Sequence, residues 1–338
     1  MNRLLAMLVA STLSMTCPAP LPAAQPLGLE TYRWLDVEGR PLPFQDHAAI
    51  LEALRSGSVV SRHEIGRGVA GAEKLVLEHE GARFHAAFRT VDALVESEPK
   101  GGARRPMSYR DAAIFEAAAY ELSELLGIGR VPPAVARSID GTDGTVQIWM
   151  EQTTPEVELL DQGSLDPPDP GLWNRQKDIM RVFDSLIANN DRNQGNLLID
   201  ANWNIWLIDH TRAFNRSSEL VDRDSITRCE RGLWASLQAL DEPTIRGRTQ
   251  SYLKRREVRA LLLRRDQLIR HIEKLIEKQG ESDVLFHLPA AAPAALTAER
   301  LSAPHAATSS SESPFEPASF VEYRCEERGG KRGADPAR

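Results

Sequence analysis

The sequence predicts an α+β chain of two lobes, the first rich in strands and the second mainly helical, and three observations lead there. Between residues 28 and 150, apolar residues recur in short runs of period two around one long helical stretch. Between residues 173 and 285 the spacing is that of amphipathic helices, interrupted by one tight pair of strands. The stretch Thr153 to Gly171 carries Pro155, Pro167, Pro168 and Pro170, so it reads as a connector without regular structure along its length. The expected division is a first lobe over 28–152, a connector over 153–172 and a second lobe over 173–288.

The two ends read differently. Arg3, the apolar run Leu4 to Leu13 and the small residues at Ala23 and Ala24 have the pattern of a secretory signal over 1–24, implying export. The run is too short to span a bilayer, and Ser14-Met15-Thr16 before Cys17 departs from a lipid-attachment signal. Residues 289–338, with the serine run Ser309 to Ser313, have the composition of a disordered tail. Of 338 residues 42% are apolar and 26% charged, the balance of a globular chain with a substantial core. A net charge of −7 argues against nucleic acid as partner. Beyond the signal only Cys229 and Cys325 remain, so no disulfide framework is expected.

Within the first lobe, Ser58 to Ile65 reads as a strand that runs into Gly66-Arg67-Gly68-Val69-Ala70-Gly71. Lys74 to Glu78 and Arg83 to Arg89 read as the next two strands. Strand, glycine loop, strand is the order in which backbone amides cover nucleotide phosphates in kinases, whereas a dinucleotide fold needs a helix after the glycines. An ordinary glycine-rich hairpin fits the same residues. In the third strand Phe84, Ala86 and Phe88 point one way, and Ala87 and Arg89 point the other. The small Ala87 leaves room for a base and Arg89 is the cation for phosphates, with Lys74 one strand earlier as its rival.

Ser108 with Asp111 three positions on reads as a loose capping box opening a helix that runs to about Leu126 and stops at Gly127. Glu116, Ala119, Tyr120 and Ser123 share one side of it, so a carboxylate at Glu116 is placed to pair with the strand cation or to hold metal; a solvated glutamate fits the same position, and Glu121 and Glu124 read as solvated. Gln147 to Met150 reads as a strand ending at Glu151, and Met150 and Glu151 are the expected hinge beside the base.

In the second lobe a helix from Trp173 carries Ile179, Val182, Phe183, Leu186 and Ile187 on one face and stops at Asn189-Asn190. Then come Asp191-Arg192-Asn193-Gln194-Gly195-Asn196, the strand Leu197 to Ile199, a turn, and the strand Ile205 to Asp209. A hairpin returns its second strand to the end where the first began, which brings Asp191, Asn196 and Asp209 together. Phosphoryl transfer needs one carboxylate to orient or deprotonate the acceptor and oxygen ligands for Mg²⁺ or Mn²⁺, and these three residues supply that set. Asn and Asp also gather at turns for purely local reasons.

Asn190-Asp191-Arg192, Asn196 and Ile208-Asp209 resemble the catalytic and metal-binding loops of the atypical kinases that include the phosphatidylinositol 3- and 4-kinases. The sequence is also similar to the secretory-pathway kinases related to the Golgi casein kinase, through Phe115 to Leu122, Leu125-Leu126-Gly127, Val131-Pro132-Pro133 and Val182 to Ile187. The resemblance spans roughly residues 60 to 215 and implies a bilobal protein-kinase-like fold with ATP and Mg²⁺ or Mn²⁺. By position it implies Asp191 as catalytic base, Asn196 and Asp209 as metal ligands, Glu116 as helix carboxylate, and Gly66, Gly68 and Gly71 over the phosphates. Arg89 stands where that group has lysine, His210-Thr211 replaces its small or aromatic residues, and its disulfides have no counterpart.

The eight histidines show no metal-like pairing, and His210, beside the site, is expected to pack or hydrogen-bond. Lys254, Arg255, Arg256, Arg259, Arg264, Arg265 and Arg270 give the last long helix a basic, solvated side. The reading is an exported ATP-dependent phosphotransferase acting on a protein, lipid or small-molecule hydroxyl, with no integral membrane contact. A nucleotide-binding pseudokinase scaffold is the alternative.

Overall fold

The structure is a computed structural model that describes residues 32–65, 72–97 and 107–289. The glycine loop, the signal segment and all of the tail except its first residue lie outside these ranges.

The first lobe opens with helix α1 (His47–Ser56), capped by the Asp46 carboxylate accepting from Ala49 N–H. Its Ile50, Ala53 and Leu54 are buried against the sheet that follows. That sheet is antiparallel, in the order β1 (Ser58–Glu64), β2 (Ala72–His79), β3 (Ala82–Arg89), β7 (Thr142–Ile148), β6 (Ala134–Ile139). Two-residue turns close the β2–β3 and β6–β7 hairpins, Glu80-Gly81 and Asp140-Gly141, both residues of each at positive φ as strand twist requires. In β3 the alternation holds, with Phe84, Ala86 and Phe88 in the core beside Leu75, Leu77 and Val146. Gly144 lets β7 approach β3, since a Cβ there would lie 2.5 Å from the Arg89 carbonyl oxygen.

Between β3 and β6 the chain makes a separate hairpin, β4 (Asp92–Ser97) with β5 (Met107–Ala112), and then helix α2 (Ile114–Leu125). The capping box expected at Ser108 and Asp111 is therefore not formed. Ser108 pairs with Glu96 and Asp111 with Ala93, so both backbones are committed to a ladder, and the helix starts after Ala113 without a side-chain cap. Glu121 is not solvated either: it is buried and takes Arg248 Nε at 2.6 Å, while Glu124 meets His47 at 3.2 Å.

The connector is more ordered than its prolines suggest. Thr154–Pro155 forms β8, Glu156–Asp161 forms α3, and α4 (Pro170–Ile187) begins three residues earlier than expected. Pro170 sits in its first turn, where no N–H is needed, and Asp169 caps Leu172 N–H at 2.9 Å. The strands β9 (Leu197–Ile199) and β10 (Ile205–Leu207) follow, in a small sheet ordered β10-β9-β8. The second ends at Leu207, two residues short of the expected Asp209, because Asp209 turns the chain at φ 59°.

Then come β11 (Cys229–Glu230), α5 (Arg231–Ala239), α6 (Glu242–Thr249), α7 (Arg255–Gln279), α8 (Glu281–Val284) and β12 (Leu285–Phe286), which pairs parallel with β11. The buried faces of α4 and α7 share one core with α2. On α7, Arg264 departs from the solvated side: it is fully buried and donates to the carbonyls of Leu186, Asn215 and Ser217. Among the described residues no helix is long and apolar enough to cross a membrane.

Candidate active site

Strand parity puts Arg89 on the face opposite the core, where α2 brings Glu116 to meet it, Nη1 to Oε1 at 3.2 Å. Glu116 is 1% exposed and also accepts from His210 N–H at 2.8 Å, with His210 Nδ1 at 3.0 Å from its other oxygen. Burial alone would raise this carboxyl; the His210 imidazole and the Arg89 guanidinium outweigh it and hold it at about 2. The Arg89 Nε–H is buried without a partner, so the cation keeps hydrogen-bonding capacity beyond Glu116.

Arg192 organises the loop before β9. It forks onto Asp184 of α4 at 2.9 and 3.0 Å, donates to the Asn196 and Ile208 carbonyls at 2.9 and 2.7 Å, and reaches His210 Nε2 at 3.0 Å. A guanidinium only donates, so it faces Nε2, while Nδ1 faces the Glu116 carboxylate, which only accepts. A continuous chain Arg89–Glu116–His210–Arg192–Asp184 thus ties β3 to α4. His210 packs and hydrogen-bonds, as its sequence position led one to expect.

Around that chain lie the three oxygen-bearing side chains. Asn196 Nδ2 donates to the Asp191 carbonyl at 3.1 Å, leaving its Oδ1 as the atom for a cation. Ile208 N–H donates to the Asn196 carbonyl at 3.2 Å, which sets Asp209 directly after Asn196's own partner. Burial raises the Asp209 carboxyl; Arg89 opposes this, and the Glu116 and Asp191 charges add to it. Asp191 is 41% exposed and takes Arg212 Nη1 on Oδ2 at 2.9 Å. Among the described residues no group of three or more His, Cys, Asp or Glu side chains is set to hold a metal. An Asn and an Asp oxygen suit a hard cation that fills its shell with water and phosphate, so the donor set fits Mg²⁺ or Mn²⁺.

Across the sheet, Lys74 pairs in register with Ala87, and its Nζ lies 4.3 Å over the Trp149 ring. It is therefore engaged beside the expected hinge, and the cation that meets Glu116 is Arg89. Glu151 Oε1 meets His85 Nδ1 at 2.6 Å and its carbonyl accepts from the Tyr32 hydroxyl; Met150 is buried, its carbonyl accepting from Thr153 at 3.0 Å. Gly66, Gly68 and Gly71 lie outside the described residues, but their flanks meet at Ile65 N and the Ala72 carbonyl, 3.1 Å apart, and Ala72 pairs with Arg89. Asp184 and Arg192 lie in segments that carry the resemblance but take no role of their own from it, Asp111 reads in the sequence as part of a helix cap, and Arg212 is not singled out there. The burial of two charged side chains beside the Asp191 loop, one on α4, is a tertiary fact with no local signal.

No protein-family model and no curated protein matches the chain. Solved structures do. A hydra Fam20 protein determined with sugar superposes with a TM-score of 0.52 at 16% identity, over 70% of this chain and 91% of that one. The Golgi casein kinase gives 0.48 at 16% identity over 73% and 80%, and the Helicobacter pylori proinflammatory kinase CtkA 0.45 at 13% over 69% and 99%. The chain has the protein-kinase-like fold, α+β, with an antiparallel sheet first and a mostly helical region after it.

Proposed function

We propose that the protein is an ATP-dependent phosphotransferase that moves a phosphoryl group to a hydroxyl acceptor. The observation that supports the reading is the joining of β3 to the Asp191–Asp209 region through Arg89, Glu116, His210 and Arg192, with the Arg89 guanidinium beside an acid and amide cluster. Arg89, braced by Glu116, binds phosphate oxygens with its remaining N–H groups. Asp191, solvent-accessible at the mouth of the loop, orients the acceptor and takes its proton. Asn196 and Asp209 would hold Mg²⁺ or Mn²⁺, which when bound neutralises charge on the phosphates. Ala87 and Trp149 wall the space for the base, with Lys74 above the indole.

The acceptor is a protein, lipid or small-molecule hydroxyl, and since the hydra protein was determined with sugar, sugar hydroxyls belong among those tested first. Export is part of the proposal on the strength of Arg3, the run Leu4 to Leu13 and Ala23-Ala24, and the first residue of the mature protein decides it. Two observations favour a nucleotide-holding scaffold instead: the cation that meets Glu116 is arginine, and Lys74 is engaged on Trp149.

Calorimetric titration of the full chain with ATP and Mn²⁺ tests the site. Asp209→Asn is expected to lose metal-dependent affinity by at least about tenfold with the fold intact. Equal affinity in that variant would mean that the hairpin holds no cation.

A further inference from the structure

The guanidinium of Arg212 spans two carboxylates from distant parts of the chain. Its Nη1 donates to Asp191 Oδ2 at 2.9 Å and its Nε to Asp111 Oδ2 at 3.0 Å. Asp111 lies in β5, just ahead of the helix that carries Glu116. The backbone repeats the link one position along, Ala112 N–H donating to the Thr211 carbonyl at 2.8 Å, and the guanidinium sits 5.8 Å from the centroid of the Tyr109 ring. The hairpin β4–β5, the turn after Asp209 and the loop bearing Asp191 therefore meet at one side chain.

The Asp191 arm of this bridge adds little stability. Arg212 and Asp191 are each 41% exposed, and an ion pair so placed contributes about 0–1 kcal/mol. Its geometric consequence is larger. The Asp191 carbonyl is fixed by the Asn193 and Asn196 amides, whereas its carboxylate, among the described residues, is hydrogen-bonded by Arg212. A base must present one defined oxygen to the proton it takes, and a displacement of about 1 Å can cost about 100-fold in rate.

We infer that Arg212 is a positioning residue: by holding Asp191 Oδ2 it turns Oδ1 toward the acceptor, and through Asp111 it ties that orientation to β5 and α2. The inference rests on the reading of Asp191 as the base. In the step it serves, the acceptor O–H proton passes to Oδ1 while the acceptor oxygen bonds the γ-phosphorus and the bond from that phosphorus to the ADP oxygen breaks. Because Arg212 acts through Asp191 and not on the nucleotide, its loss lowers kcat and leaves KM for ATP in place. A lysine ammonium reaches one carboxylate but lacks the planar fork that meets two.

The test measures ADP release from ATP and Mn²⁺, with protein, lipid and sugar hydroxyls supplied in turn as acceptors beside water, by the full chain, native and as Arg212→Ala, Arg212→Lys, Asp111→Asn, Asp191→Ala and the double variant Arg212→Ala/Asp191→Ala, with thermal midpoints as the check on folding. Arg212→Ala is expected to lower kcat by about 100-fold at unchanged KM. Arg212→Lys and Asp111→Asn, which keep one arm of the bridge, should fall between it and the native protein. The double variant should be no slower than Asp191→Ala alone, since two residues that act as a unit do not add. Native turnover with Arg212→Ala equally fast, or a double variant whose losses add, overturns the positioning role alone. A native protein that binds ATP and releases no ADP overturns Asp191 as base, and the positioning role with it.

Discussion

Arg89 is the strand cation in the proposed site, and its guanidinium reaches Glu116 at 3.2 Å with an Nε–H to spare. Arginine binds phosphate by its fork and lysine as a compact point charge. Arg89→Lys is therefore expected to keep or raise turnover and Arg89→Ala to remove it; normal turnover in Arg89→Ala with loss in Lys74→Ala would instead assign the phosphates to β2. Glu116 gives a pH prediction. Its carboxyl is held at about 2 in the folded chain against an ordinary 4.5, so its pairing stabilises fully above pH 4.5 and is lost as pH falls toward 2. Chemical denaturation between pH 5 and 3 should show a steeper loss for the native protein than for Glu116→Gln, and parallel curves would contradict it. At this scale the sequence exposed Arg89 and Glu116 through their periodicity, and Asp191, Asn196 and Asp209 through spacing around a hairpin. It hid Arg192 and Arg212 because a charged side chain near a turn looks solvated until the fold brings Asp184 or Asp111 to it.

At the scale of elements, β1 was legible from its strand-like composition before the glycine loop, β2 from the run between that loop and Gly81, and β3 from its period-two alternation. The hairpin β4–β5 was not: Ser108 and Asp111 imitate a helix cap, and the pairing of Met107–Ala112 with Asp92–Ser97 outweighs that local signal. The turn Asp140-Gly141 is a strong hairpin signal that would have revealed β6 and the full length of β7. Arg264 shows the same limit on a helix, since its burial beneath the Asn215 and Ser217 carbonyls follows from packing rather than from the basic run around it. The close approach of β7 to β3 carries its own prediction. A methyl group at Gly144 would meet the Arg89 carbonyl oxygen and the Phe88 ring, each at 2.5 Å, so Gly144→Ala should destabilise the chain by about 1–3 kcal/mol in urea denaturation. An unchanged midpoint would mean that the two strands separate at no cost.

For the whole molecule, the two cores explain how the lobes hold the site. One lies within the five-stranded sheet and α1; the other unites α2 with α4 and α7, so the helix bearing Glu116 is packed with the lobe that carries Asp191 and Asp209. The sheet meets that unit where β6 and β7 pack on α2 and where Arg89 reaches Glu116, and a nucleotide held between Arg89 and the Asp191 loop would bridge the two cores. The two-lobed order was readable from the change of period along the chain, but the grouping of α2 with the second core was not, because nine consecutive residues of that helix are buried and no single face marks its partner. The measurement that bears most directly on this account is transfer of labelled phosphate from ATP in the presence of Mg²⁺ or Mn²⁺, for the native chain and Asp191→Ala, with protein, lipid and sugar hydroxyls supplied as acceptors. The account predicts label on an acceptor with the native chain and a loss of at least about 100-fold in Asp191→Ala. Nucleotide binding by the native chain with no transfer to any acceptor, or equal transfer by both proteins, would contradict it.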